Sequence, residues 1–208
     1  MSEIVGLSLR VTGLALLIST VLGVPLGALI GLSRFRGKNL VRAILYTGMG
    51  LPPVVVGLFV YLLLSRSGPF GSLQWLFTPS AMVAAQIIIA LPLTVGLTMT
   101  SVESVSPELR RQIMALGATQ SQAAWTILAE ARIGVTAAIV AAFGGIISEV
   151  GAVMLVGGNI AGQTRVLTTA IVLETRQGDF SLALALGVVL LAVTFAVNVL
   201  LMKLQGKT

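Results

Sequence analysis

Five long apolar blocks limit what this chain can fold into: Ile4–Leu32, Leu40–Leu64, Ala81–Thr100, Ile133–Val156 and Leu182–Met202. Each is long enough to cross the hydrocarbon core of a bilayer, which takes about 20 helical residues. A soluble fold of 208 residues has too little interior to hide them. Hydrophobic residues make up 56% of the chain and charged residues 10%, with a mean hydropathy of +1.03; soluble chains carry about 25% charged residues. The sequence therefore predicts an all-α integral membrane protein, a multi-pass bundle of five transmembrane helices. The first block is not expected to be a cleaved signal peptide. Glu3 precedes it where a basic run would be needed, it is too long, and no A-x-A-like site follows.

The chain contains no Cys and no His. That removes thiolate and imidazole metal sites, disulfides and every nucleophile–His arrangement, and no metal site is expected. The net charge of +6 sits in short clusters between the apolar blocks, which marks topology rather than nucleic-acid binding. The first connection carries Arg34, Arg36, Lys38 and Arg42, the third Arg110, Arg111 and Arg132, and the tail Lys203 and Lys207. The second has only Arg66, and the fourth sets Arg165 and Arg176 beside Glu174 and Asp179. The positive-inside rule then places the N-terminus outside and the C-terminus in the cytoplasm of a cell-membrane protein. The whole chain, 1–208, reads as one transmembrane domain, with no regulatory domain expected after the last span.

Small residues at i,i+4 spacing let helices approach closely in lipid. In the fourth block Ala137, Ala141 and Gly145 form such a line ending at Glu149, and Gly144, Ser148 and Ala152 form another. Both are expected to pack the bundle. Arg10 and Glu149 are the charged residues well inside blocks, Arg42 standing at a block's edge, and charges at such depth are usually paired or pore-facing. At 1.5 Å rise per residue their depths differ by about 5 Å, so a pair across the bundle or between two copies is expected, holding an outer gate. The alternative is that Arg10 snorkels to the headgroups and Glu149 bonds locally.

Two connections are more than turns. In the first, about 101–132, Pro107–Glu108 opens a helix through Leu116, Gly117 interrupts it, and Ala118–Ile127 forms a second. Glycine permits a sharp reversal there, and Ala115, Gly117 and Ala118 keep the corner uncluttered. The result is a knob suited to a groove on a partner, or else an interfacial helix lying on lipid. The second, about 157–181, opens with Gly157, Gly158 and Asn159 and contains an amphipathic stretch from Thr164 to Ala170. Thr164 and Arg165 could line an entrance for an anion or form a solvated edge; spacing alone leaves both open.

The stretch Arg111-Gln112-Ile113-Met114-Ala115-Leu116-Gly117-Ala118, continuing to Ile127, resembles the "EAA" loop of ABC importer permeases. Arg111 stands at the usual Glu, Gln112 and Ile113 at the two Ala, and Glu130 at the usual Pro. Residues Gly50 to Leu58, Ser148 to Asn159, Thr164 to Ala170, Leu173 to Thr175 and Gly178 to Phe180 resemble segments of the molybdate, tungstate and sulfate group, most of all the tungstate type. The resemblance implies a MetI-like, binding-protein-dependent permease fold and translocation of an oxyanion. It also implies a second copy of this chain, a cytoplasmic ABC ATPase dimer and an extracytoplasmic oxyanion-binding protein as partners. It places ATPase coupling on Ala115, Leu116, Gly117, Ala118 and Ile127. Independently, no G-x-x-x-x-G-K-[ST] stretch exists to cradle a nucleotide, so this chain should bind no cofactor, with ATP and magnesium on the partner ATPase. Molybdate or sulfate permeation, an ATPase-independent secondary transporter and a membrane scaffold are the competing expectations. Inverted repeats, common in secondary transporters, are not evident, and two isolated charges without His or Cys give no catalytic constellation.

Overall fold

In the computed structural model, which describes residues 1–205, the described chain is helical, with no strand. The helices are α1 (Ser2–Leu32), α2 (Lys38–Met49), α3 (Pro53–Leu64), α4 (Pro79–Glu103), α5 (Pro107–Ala115), α6 (Gln120–Glu130), α7 (Arg132–Ile147), α8 (Gly151–Gly157), α9 (Leu167–Gln177) and α10 (Phe180–Gln205). Lys207, counted above as a tail cation, lies outside the described residues.

By length and composition α1, α4 and α10 can each cross a membrane alone. Two bent pairs reach that length and composition only when taken together: α2 with α3, bent by 96°, and α6 with α7, bent by 65°. The second apolar block is thus not one straight helix. Pro52 is extended (φ −62°, ψ 124°) and Pro53 opens α3, as expected where consecutive prolines remove N–H donors and force the preceding residue out of helical geometry. The fourth block is also corrected. It ends its helix at Ile147, breaks over 148–150 and resumes as the seven-residue α8.

The tightest seam lies between α1 and α4. Gly23, Gly27 and Gly31 repeat every four residues, and a methyl group on Gly23 would stand 2.1 Å from Thr94 Oγ1, one on Gly27 2.5 Å from the Val95 carbonyl oxygen. Backbones this close gain the dispersion energy that replaces a hydrophobic driving force in lipid. The expected ridge of Ala137, Ala141 and Gly145 on α7 instead faces outward, while Ala138, Ala142 and Ile146 are buried. Neighbouring small-residue stripes are offset by one position, and spacing does not say which meets a neighbour.

At one end of the bundle, α3 packs on α8. Gly57 lies so near Ala152 that a Cβ would fall 2.5 Å from the Ala152 Cα. The α3–α4 connection is fastened there by the Phe77 N–H donating to the Val156 carbonyl at 2.8 Å, and the Phe77 ring meets Tyr61 edge-on. The α5–α6 pair occupies the opposite end, beyond the end of α4.

Candidate functional site

The α5–α6 hairpin is built by local hydrogen bonds. Ser106 caps α5: its Oγ accepts from the Glu108 N–H at 3.1 Å and donates to Glu108 Oε2 at 3.0 Å. The backbone N–H of Glu108, the Ser106 hydroxyl and the paired Arg111 guanidinium hold the Glu108 carboxyl below the usual carboxylate range. Helix α5 stops at Ala115 and Gly117 takes φ +86°, a left-handed conformation that side chains resist. Nothing lies within 4 Å of where its Cβ would be, so backbone conformation and not space asks for glycine. Thr119 then caps α6 in a two-way box with Gln122: the Gln122 N–H donates to Thr119 Oγ1 at 3.3 Å and the Thr119 N–H to Gln122 Oε1 at 2.8 Å. The second helix therefore begins at Gln120 and runs to Glu130, not from Ala118 to Ile127.

The two helices differ in what they leave open. None of the residues of α5 is buried. In α6, Ala123 and Ile127 are buried, Ile127 at 3% exposure in a cluster with Ala28, Val102 and Ala131. Ile127 thus anchors the hairpin to α1 and α4 and has no surface to offer a partner, which corrects its place among the docking residues. The free surface is Ala115, Leu116 (88% exposed) and Gly117, with Ala118 half-buried and Trp125 (72% exposed) on α6.

At the α7–α8 break, Glu149 is 7% exposed. Its carboxylate accepts from the N–H groups of Ala152 at 2.9 Å and Val153 at 3.1 Å, and its carbonyl accepts from Thr168 Oγ1 at 3.0 Å. Ser8, Thr12, Gln86 and Thr168 line a small polar void beside it. Glu149 makes no ion pair among the described residues, and neither does Arg10, which is exposed on α1. Ser8 and Thr12 face the void, and Arg10, two residues from each, is turned about 200° around the helix. Within one chain the expected Arg10–Glu149 pair is therefore not made. Glu149 instead caps a helix start that lipid could not satisfy.

Thr164 is fully buried; its Oγ1 donates to the Gly157 carbonyl at 2.6 Å and accepts from the Ile160 N–H at 2.9 Å. It staples the loop after α8 and does not line an entrance. Arg165 is half-buried, with one Nη2 donating to the Asn159 carbonyl at 3.5 Å. The amphipathic stretch forms α9, whose first turn, Leu167 to Ala170, is buried.

Gln86 was not singled out by sequence, although a lone amide in the middle of an apolar block is a visible signal. It is 4% exposed, and its Nε2 donates to the Ile146 carbonyl at 3.0 Å where α7 ends. Among the described residues no group of three or more acidic, His or Cys side chains is placed to hold a metal.

This arrangement, a bundle of broken spans with an exposed helical hairpin at one end, agrees with comparison to known proteins. The family model described as "Binding-protein-dependent transport system inner membrane component" matches residues 23–207. The chain belongs to this family. Among relatives of this permease family, a probable anion ABC transporter permease protein of Haloferax volcanii is 44% identical over 99% of this chain and 91% of its own length. The tungstate uptake system permease protein TupB of Peptoclostridium acidaminophilum is 43% identical over 97% of this chain and 89% of its own. A molybdenum transport system permease protein of Escherichia coli is 30% identical over 83% of this chain and 80% of its own. The crystal structure of an amino acid ABC transporter with histidines superposes with a TM-score of 0.70, covering 99% of this permease and 92% of that chain. At 19% identity that likeness shows the fold alone.

Proposed function

We propose that this permease is the membrane-spanning subunit of an ABC importer that carries tungstate. The observation that carries the substrate is the 43% identity to a tungstate uptake permease over 97% of the chain. Two copies would form the path, with α5 and the Gly117 corner seated in a cytoplasmic ATPase dimer and an oxyanion-binding protein delivering the anion at the far end. The N-terminus is then outside and the C-terminus in the cytoplasm, as the Lys and Arg distribution requires.

Support for docking through α5 is its lack of buried surface beside the anchored α6. The hairpin turns at a left-handed glycine, so its shape is set by backbone and persists when a partner is absent. ATP-driven closure of the ATPase dimer would reach the spans through this hairpin and alternate access to the path. The chain supplies no catalytic step; ATP and magnesium bind the partner. Molybdate and sulfate are tetrahedral dianions of the same kind, and discrimination among the three rests on the binding protein.

The test is uptake of tungsten and molybdenum at nanomolar oxyanion by cells lacking this chain and by cells with it restored. Loss of tungsten uptake alone, regained on restoration, is expected. Loss of molybdenum uptake instead would move the substrate to molybdate. Unchanged uptake of both metals, with no second importer active, would overturn the oxyanion assignment.

A further inference from the structure

At the end of the bundle that carries the hairpin, four helices are tied by charges that no motif announces. Glu103 closes α4. Its Oε1 meets Lys38 Nζ at 2.9 Å, and Arg42 Nη2 donates to both carboxylate oxygens at 2.9 Å. Lys38 also donates to the carbonyls of Gly31 at 2.8 Å and Ser33 at 3.0 Å, the unfilled acceptors at the end of α1. Arg110, on α5, donates to the neighbouring carbonyl of Leu32 at 3.2 Å. A continuous set of contacts thus runs from α5 to the end of α1, through Lys38 to α4, and through Arg42 to α2.

Stability alone does not account for Glu103 at this place. A carboxylate in the last turn of a helix faces the negative end of the helix dipole. Partly exposed ion pairs such as these add little to stability. What the carboxylate does provide is one point where two cations of α2 meet the end of α4, next to the carbonyls that α5 grips. We infer that Glu103 is a positioning residue for energy coupling: it makes α1, α2 and α4 follow α5 when the ATPase moves it. This rests on the ATP-driven importer reading above.

The experiment uses the whole complex, this chain with its ATPase and binding protein, in proteoliposomes, with tungstate uptake and ATP hydrolysis measured on the same vesicles. Glu103→Gln and, separately, Arg110→Gln are expected to keep hydrolysing ATP while uptake per ATP falls at least about fivefold, the lower end of usual coupling. Glu103→Asp, which keeps the charge, is expected to restore most of that ratio. An unchanged ratio in Arg110→Gln and Glu103→Gln, whatever their yield or melting temperature, would overturn the inference and leave a merely structural contact. If Glu103→Gln does not assemble, Arg110→Gln decides alone, since it cuts the set of contacts at its α5 end, where the guanidinium meets the part-buried Leu32 carbonyl as well as Gln120 of α6. A wild-type complex that hydrolyses ATP without taking up tungstate or molybdate would overturn the importer reading, and this inference with it.

Discussion

The α1–α4 seam and the α5–α6 hairpin meet where Arg110 reaches the Leu32 carbonyl and Ile127 packs on Ala28 and Val102, yet they are held by opposite means. The seam has almost no side chains between its backbones, so its order comes from closeness over many turns. The hairpin buries only Ala123 and Ile127 of α6 and nothing of α5, so the order of its outer half comes from caps and one left-handed glycine. In the seam any added atom is felt; in the outer half of the hairpin only a few atoms matter, and they are hydrogen-bonding atoms. A region of the first kind is built to stay one shape, and a region of the second kind to keep its shape while open to a partner.

The sharpest way to break this contrast is Gly27→Leu. Its side chain must start 2.5 Å from the Val95 carbonyl oxygen, so the seam must open, and we expect a loss of about 3 kcal/mol or more, enough to abolish folded protein in detergent. Full recovery of that variant by size-exclusion chromatography would show that the seam is looser than its geometry. Next comes Glu149→Ala, which leaves the N–H groups of Ala152 and Val153 buried without their acceptor. Each unsatisfied donor costs roughly 1–3 kcal/mol. Thermal unfolding should reveal the drop, with Glu149→Gln, which keeps one carbonyl acceptor, falling between.

On the hairpin, Gly117→Trp places a bulky residue at φ +86° with open space around it. The backbone cost is about 1–2 kcal/mol, so membrane insertion should survive while transport is lost, and normal uptake would defeat the docking assignment. The smallest effect belongs to Ser106→Ala, which removes a cap worth about 1 kcal/mol. The same region carries a pH dependence. The Glu108 carboxyl is depressed in the folded chain, so its contribution is complete above the ordinary carboxylate pKa and disappears as pH falls through the depressed value. Protection of the α5 amides, taken relative to the intrinsic exchange rate at each pH, should fall on that acid side, and less so in Ser106→Ala.

The hairpin was the more legible of the two regions. Gly117 and the Pro107 start are local signals, and α5 and α6 lie within a few residues of where the pattern places them. The seam was not: the periodicity of small residues pointed to α7, whereas Gly23, Gly27 and Gly31 on α1 make the close approach. Burial of Ile127 depends on α1 and α4 returning to the same place, which no local pattern encodes. The break at 148–150 was hidden because Ser, Glu and Val are all tolerated in helices; only the hydrogen bonds of Glu149 reveal that it starts a new one. Arg10 lies between Ser8 and Thr12, which share the void with Glu149, but rotation about the helix axis turns it away from Glu149 of its own chain.

The glycine seam has a mechanical consequence. With backbones in contact through Gly23, Gly27 and Gly31, α1 and α4 cannot slide or swivel past each other without collision. They form a single stiff blade. Any alternation of access must then be taken up where the chain already bends, at the prolines between α2 and α3, at the corner between α6 and α7 and at the break between α7 and α8. The permease thus has a stiff spine, α1 with α4, beside a chain that bends at 51–52, at Ala131 and over 148–150.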